Sequence, residues 1–96
     1  MAPKKKNISA TLRRLVWQTY VGLDVGSTLC MCCQQQIIYQ LVFECGHVIA
    51  ESQGGATILE NLRPICTHCN RSMGTMSMAE FMRSFNNFTP MDWNLG

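Results

Sequence analysis

Histidine, charge and long apolar runs are all scarce in this chain. Two histidines, eight Lys and Arg and six Asp and Glu serve 96 residues, so charged side chains make up only 15% of the total. A net charge of +2 is too small to argue for a nucleic-acid partner by itself. No stretch approaches the ~20 consecutive apolar residues of a bilayer-crossing helix. That excludes such an anchor and leads to the expectation of a soluble protein with no membrane partner. No apolar leader precedes the first cysteine, because the N-terminus opens on charge at Lys4, Lys5 and Lys6. A reducing intracellular compartment, cytoplasm or nucleus, is therefore expected rather than secretion. No segment repeats another, which excludes repeat architectures and leaves one small domain.

What the chain does have is cysteine. Its six cysteines include two Cys-x-x-Cys knuckles, Cys30-Met31-Cys32-Cys33 and Cys66-Thr67-His68-Cys69. Each short knuckle lets two sulfurs approach one ion from a tight turn, and two knuckles complete a tetrahedral thiolate shell for structural Zn2+. Cys30, Cys33, Cys66 and Cys69 are the expected ligands. Two alternatives stay open on residues alone: three disulfides in a secreted protein, or His68 replacing one of the sulfurs. Cys32 and Cys45 are left over and read as buried apolar thiols. Zinc also answers a need of the composition. A domain of 96 residues with seven Met and seven Gly has a small, irregular interior that is marginal without a staple.

The organisation reads as a basic disordered tail at 1–8, a zinc-binding domain at 9–88 and a C-terminal extension at 89–96. Lys4, Lys5 and Lys6 can track phosphates, act as a nuclear address or simply solvate the tail. Ser9 caps a helix ending near Tyr20, with Leu12, Leu15, Val16 and Tyr20 at helical spacing and Gly22 as the stop. Asp24 to Thr28 reads as a loop. Ile37 to Phe43 reads as a strand, with His47 to Ala50 as its short antiparallel partner. Glu51 to Thr57 is a loop around Gly54-Gly55. A helix opens at about Thr67, and Ser77-Met78-Ala79-Glu80 has the form of a capping box for a last helix to about Phe85. The fold class is α+β. Past Pro90 only Trp93 looks like an anchor, and the Met-rich and aromatic stretch from Met73 to Trp93 is a candidate surface for a protein partner.

The run Glu44-Cys45-Gly46-His47-Val48-Ile49, then Gly54-Gly55, then Glu60-Asn61-Leu62-Arg63-Pro64-Ile65-Cys66-Thr67-His68-Cys69-Asn70 resembles the motif of the HNH, or ββα-metal, endonucleases with a zinc-knuckle embellishment. The resemblance extends from Cys30 to about Gly74. Small stand-alone proteins of this type are common in phages and large DNA viruses, which makes a virus-encoded protein or virion component conceivable. The resemblance implies a zinc-stapled ββα-metal domain with an added N-terminal helix and a C-terminal helix. It implies that His47 is the general base, since a neutral imidazole near its ordinary pKa can take a proton from water. Asn61 corresponds to the residue that braces the base and its loop, and Asn70 to a ligand of a catalytic Mg2+ or Mn2+. The cysteine quartet is then a separate structural zinc site, sulfur for the staple and hard oxygen for the catalytic ion. The implied partner is nucleic acid, double-stranded DNA first, with Lys4, Lys5, Lys6, Arg63 and Arg71 on backbone phosphates. On residues alone, Asn61 could equally cap a turn and Asn70 a helix.

One departure bears on activity. Gly46 stands where the family carries an aspartate or histidine that binds the catalytic metal. Three outcomes stay open: Glu44, which shares a face with position 46 in an extended chain, substitutes as a ligand; the phosphate itself and a backbone carbonyl complete the shell with low metal affinity; or cleavage is lost. The basic residue often found after the second knuckle is also missing, since Ser72, Met73 and Gly74 stand there. The leading expectation is a metal-dependent endonuclease hydrolysing phosphodiesters. The alternatives are a zinc-stapled nucleic-acid-binding module that has lost cleavage, in which Gly46→Asp would restore it, and a structural or assembly protein reusing the scaffold.

Overall fold

The computed structural model describes residues 8–85. Lys4, Lys5 and Lys6, the end of the expected domain at 86–88 and the extension at 89–96 with Trp93 lie outside them. The first helix, α1 (Ala10–Tyr20), starts where the Ser9 hydroxyl accepts the Leu12 amide at 3.1 Å, a cap worth about 1 kcal/mol. It stops where the Val21 and Gly22 amides both return to the Trp17 carbonyl at 2.8 Å. Gly22 has φ +125° there, a conformation that a side chain disfavours. The buried face of α1 presents Val16 and Trp17. The Trp17 indole donates to the Val25 carbonyl at 2.9 Å, and its ring lies 5.0 Å from that of Phe43. Arg13 closes the same contact from outside, stacked over Phe43 and donating to its carbonyl at 2.8 Å.

Two antiparallel hairpins follow. In the first, β1 (Ser27–Leu29) pairs with β2 (Ile37–Tyr39), Leu29 opposite Ile37 and Ser27 opposite Tyr39. This differs from the expected strand at Ile37 to Phe43 and loop at Asp24 to Thr28. The apolar run marks strand propensity but not its partner. The first knuckle reverses the chain, with the Cys30 amide on the Gln36 carbonyl at 2.7 Å, so the neighbouring segment is captured instead of His47 to Ala50. Beyond Tyr39 a tight turn, Val42 amide to Tyr39 carbonyl at 2.9 Å, ends the strand.

The second hairpin joins β3 (Glu44–His47) to β4 (Leu62–Ile65), in the register Glu44 to Ile65, Cys45 to Pro64, Gly46 to Arg63 and His47 to Leu62. Side chains alternate along each strand. Glu44, Gly46, Arg63 and Ile65 therefore share one face, and Cys45, His47, Leu62 and Pro64 the other. The intervening loop carries two short 3-10 turns, Glu51–Gln53 and Leu59–Asn61.

Two helices complete the α+β domain. The second, α2 (Thr67–Met73), begins inside the second knuckle, because the Cys66 sulfur accepts the Cys69 amide at 3.4 Å in the N-cap role. The third, α3 (Met78–Phe85), is preceded by half of the expected capping box. Glu80 accepts the Ser77 amide at 3.0 Å, but the Ser77 hydroxyl turns to the loop, taking the Ala50 amide at 3.0 Å and donating to Gln53 at 3.1 Å. The core gathers Val16, Trp17, Ile38, Leu62, Ile65 and Phe81 around the buried cysteines. Among the described residues no helix is long and apolar enough to cross a membrane.

Candidate functional site

Folding brings the two knuckles together. The sulfurs of Cys30, Cys33, Cys66 and Cys69 all lie within 4.8 Å of one another, and Cys30 and Cys69 are 3.9 Å apart. A tetrahedral thiolate site with Zn–S of about 2.3 Å has edges of ~3.8 Å, so the quartet could bind a metal such as zinc. Backbone amides already point at these sulfurs. Cys30 accepts from Cys32, Cys33 and Cys66 at 3.3, 3.4 and 3.2 Å, and Cys33 from Gln35 at 3.4 Å.

Burial raises the Cys30 thiol above its ordinary range against the pull of these amides. Cys69 is raised by burial and then by the neighbouring sulfurs of Cys32 and Cys30. At Cys33 burial also opposes ionisation, but hydrogen bonds from the Gln35 and Gln36 amides and from the Cys69 and Cys30 thiols together outweigh it and the thiol is lowered. Four thiolates so close repel one another, and a divalent cation reverses that sign. The six cysteines are free thiols. His68 is exposed and stands outside the quartet. Cys32 and Cys45 are buried as expected, and burial pushes them up to about 12 and about 11 respectively.

The other feature is the loop between β3 and β4. His47 ends β3 and is 9% exposed. Its Nε2 lies 3.0 Å from the Thr57 hydroxyl, which donates to Glu51 Oε2 at 3.0 Å, and that oxygen is 3.7 Å from Nε2. Asn61 pins the same loop from the far side. Its Oδ1 accepts the Ile49 amide at 2.8 Å, and its Nδ2 donates to the carbonyls of Ile49 and Ala56 at 3.0 and 2.9 Å. Gly55 fits beneath this clamp, since a Cβ there would fall 1.8 Å from the Ile49 carbonyl oxygen.

The remaining sequence-derived residues are dispersed. Glu44 lies on the hairpin face opposite to that of His47, with its carboxylate 3.5 Å from the Thr67 hydroxyl. Asn70 follows Thr67 by one turn of α2, so the two share a side of that helix. Gly46 faces inward: a Cβ would meet Ile65 Cδ1 at 2.4 Å and Met78 Cε at 3.2 Å. Arg63 is engaged within the molecule, stacked 4.2 Å over Tyr20 and donating to its hydroxyl at 2.8 Å and to the carbonyls of Glu60 and Leu62. Arg71 is exposed on the last turn of α2.

In the sequence Glu51 and Thr57 stand out only as members of a polar loop. The spacing of His47 and Glu51, four residues apart, was the available signal, but a strand end followed by a 3-10 turn gives that spacing no fixed meaning. A family model described as HNH endonuclease matches residues 30–86, from the first knuckle through α3. No curated protein and no solved structure matches the chain.

Proposed function

Because the chain belongs to the HNH endonuclease family, we propose that it is a metal-dependent endonuclease that hydrolyses phosphodiester bonds in double-stranded DNA. The observation that carries this reading is the Asn61 clamp. Three hydrogen bonds from one side chain to Ile49 and Ala56 hold the segment that follows His47, which is the bracing a base residue needs. In this reading His47 takes a proton from the attacking water and becomes an imidazolium; the hydroxide forms a bond to phosphorus as the bond from phosphorus to the leaving sugar oxygen breaks, and that oxygen takes up a proton from solvent. A bound Mg2+ or Mn2+ supplies neutralising charge for the phosphate and the leaving oxygen. Asn70 and Glu44 are the proposed oxygen donors for it, hard ligands that suit such an ion. The zinc quartet stays out of the chemistry and fixes α2 against the hairpin. Arg71 and the Lys4 to Lys6 tail are the proposed phosphate contacts, with Arg63 a weaker candidate because its guanidinium is already stacked and bonded.

A second reading has a specific observation behind it. Gly46 is packed against Ile65 and Met78, and Glu44 stands on the other face of the hairpin from His47. Both favour a nucleic-acid-binding module that has lost cleavage. Nicking of supercoiled plasmid in Mn2+ or Mg2+ separates the two. The endonuclease reading expects nicking by the wild type, none by His47→Ala, and equal zinc content in both. Salt-sensitive DNA binding without nicking would select the binding module.

A further inference from the structure

We infer that Thr57 and Glu51 are positioning residues that set the tautomer of His47 and stabilise its protonated form. The inference rests on the reading of His47 as a base, and it deepens that reading. An ionised carboxylate only accepts hydrogen bonds, so the single hydroxyl proton of Thr57 goes to Glu51 Oε2 at 3.0 Å. The Thr57 oxygen is left as the acceptor in its 3.0 Å contact with His47 Nε2. Nε2 must then carry the ring proton, which places the lone pair of neutral His47 on Nδ1. A base working through Nδ1 is thereby held in the one tautomer that can accept.

Charge completes the arrangement. When Nδ1 takes a proton from water, Nε2 keeps its own and the bond to Thr57 is unchanged. The new positive charge then stands 3.7 Å from Glu51 Oε2, with the two side chains only 10% and 31% exposed. Such shielding makes the attraction larger than it would be in water. The backbone accounts for how the pair is delivered. Glu51 opens the 3-10 turn whose preceding residue, Ala50, is tied to Ser77. Thr57 follows Ala56, whose carbonyl is held by Asn61. The clamped loop thus has a job beyond its own stability: it carries an acceptor and a counter-charge to one imidazole nitrogen.

Two-bond 1H–15N correlation spectra of the full chain in alkaline buffer read the tautomer directly, and a His68→Gln variant assigns the second imidazole. The expected result is Nε2-protonated His47 in the wild type and in Thr57→Ser, and a shift toward the Nδ1-protonated form in Thr57→Val. Glu51→Gln should keep the tautomer, because its amide oxygen still accepts from Thr57. In plasmid nicking, Thr57→Val and Glu51→Gln should each lower kcat about tenfold with KM little changed, and Thr57→Ser should recover most of it. An Nδ1-protonated wild type, or His47 signals identical in wild type and Thr57→Val, would overturn the inference whether or not plasmid is cut. The expected tautomer shift with a wild type that nicks nothing would leave the Thr57–Glu51 pair standing and remove the nuclease reading. Should Thr57→Val lose zinc or helix content, Glu51→Gln decides alone. Unchanged kcat in that variant would overturn the role of the counter-charge.

Discussion

Asn61 bonds both backbone polar groups of Ile49, accepting from its amide at 2.8 Å and donating to its carbonyl at 3.0 Å. A side chain bonded in this way mimics a strand partner for a single residue, so the loop follows β3 without a third strand. Asn61→Ala removes these two bonds and the one to Ala56. At about 1 kcal/mol net for each, the loss should come to about 2–3 kcal/mol in urea unfolding. Asn61→Asp should lose a similar amount, because its carboxylate would face two carbonyl oxygens.

Gly55 tests the same packing from below. Its missing Cβ would lie 1.8 Å from the Ile49 carbonyl oxygen and 2.8 Å from Asn61 Nδ2. Backbone cannot yield cheaply, so Gly55→Ala should destabilise by about 2–4 kcal/mol. Gly26 is the control, since nothing lies within 4 Å of a Cβ there. Gly26→Ala should leave the thermal midpoint within a few degrees of the wild type.

Metal removal should unfold the domain. Cys66 serves at once as a member of the sulfur quartet and as the N-cap of α2, so Cys66→Ser weakens both. In small domains the free energy of zinc binding is largely folding free energy. A strong chelator, or Cys66→Ser, should abolish the cooperative melt seen by circular dichroism, and added Zn2+ should restore it only in the chelated wild type.

Gly46→Asp should not create a nuclease from an inactive protein. The new side chain would point at Ile65 and Met78, and a carboxylate buried without a partner costs several kcal/mol. The expected outcome is a drop of about 3 kcal/mol in stability with no gain in nicking. Gain of cleavage with a native melt would show that position 46 reaches the reacting phosphate.

Alkaline pH probes the two thiols outside the quartet. Burial raises Cys45 to about 11 and Cys32 to about 12 from 9.0. A folded value above the unfolded one means that the contribution is full below pH 9 and is lost as pH rises through the folded values. Stability should therefore fall from about pH 9 upward, and Cys45→Ala should make the fall shallower between about pH 9 and 11.

Much of this molecule is written locally in its sequence. The two knuckles mark Cys30, Cys33, Cys66 and Cys69 as candidate ligands by spacing, because a Cys-x-x-Cys turn brings two sulfurs to one side; the meeting of the two pairs, with His68 outside, came from folding. Ser9 and Gly22 bound α1 for reasons confined to a few residues, and Glu80 marks the start of α3 in the same way. The order of His47, Gly54-Gly55, Asn61 and the second knuckle was enough to identify the family.

Tertiary structure decided the rest. Which segment pairs with Ile37–Tyr39 depended on the chain reversal at Cys30 rather than on strand propensity. Along the chain Gly46 is only a departure from the family's pattern; strand register and the packing of Ile65 and Met78 set the face it takes. The approach of Thr57 and Glu51 to His47 arises from a loop folded over on itself by Asn61, and no periodicity along the chain encodes a contact made that way. Spacing specifies what one turn can reach, whereas faces and loop closures are set only when separate elements pack together.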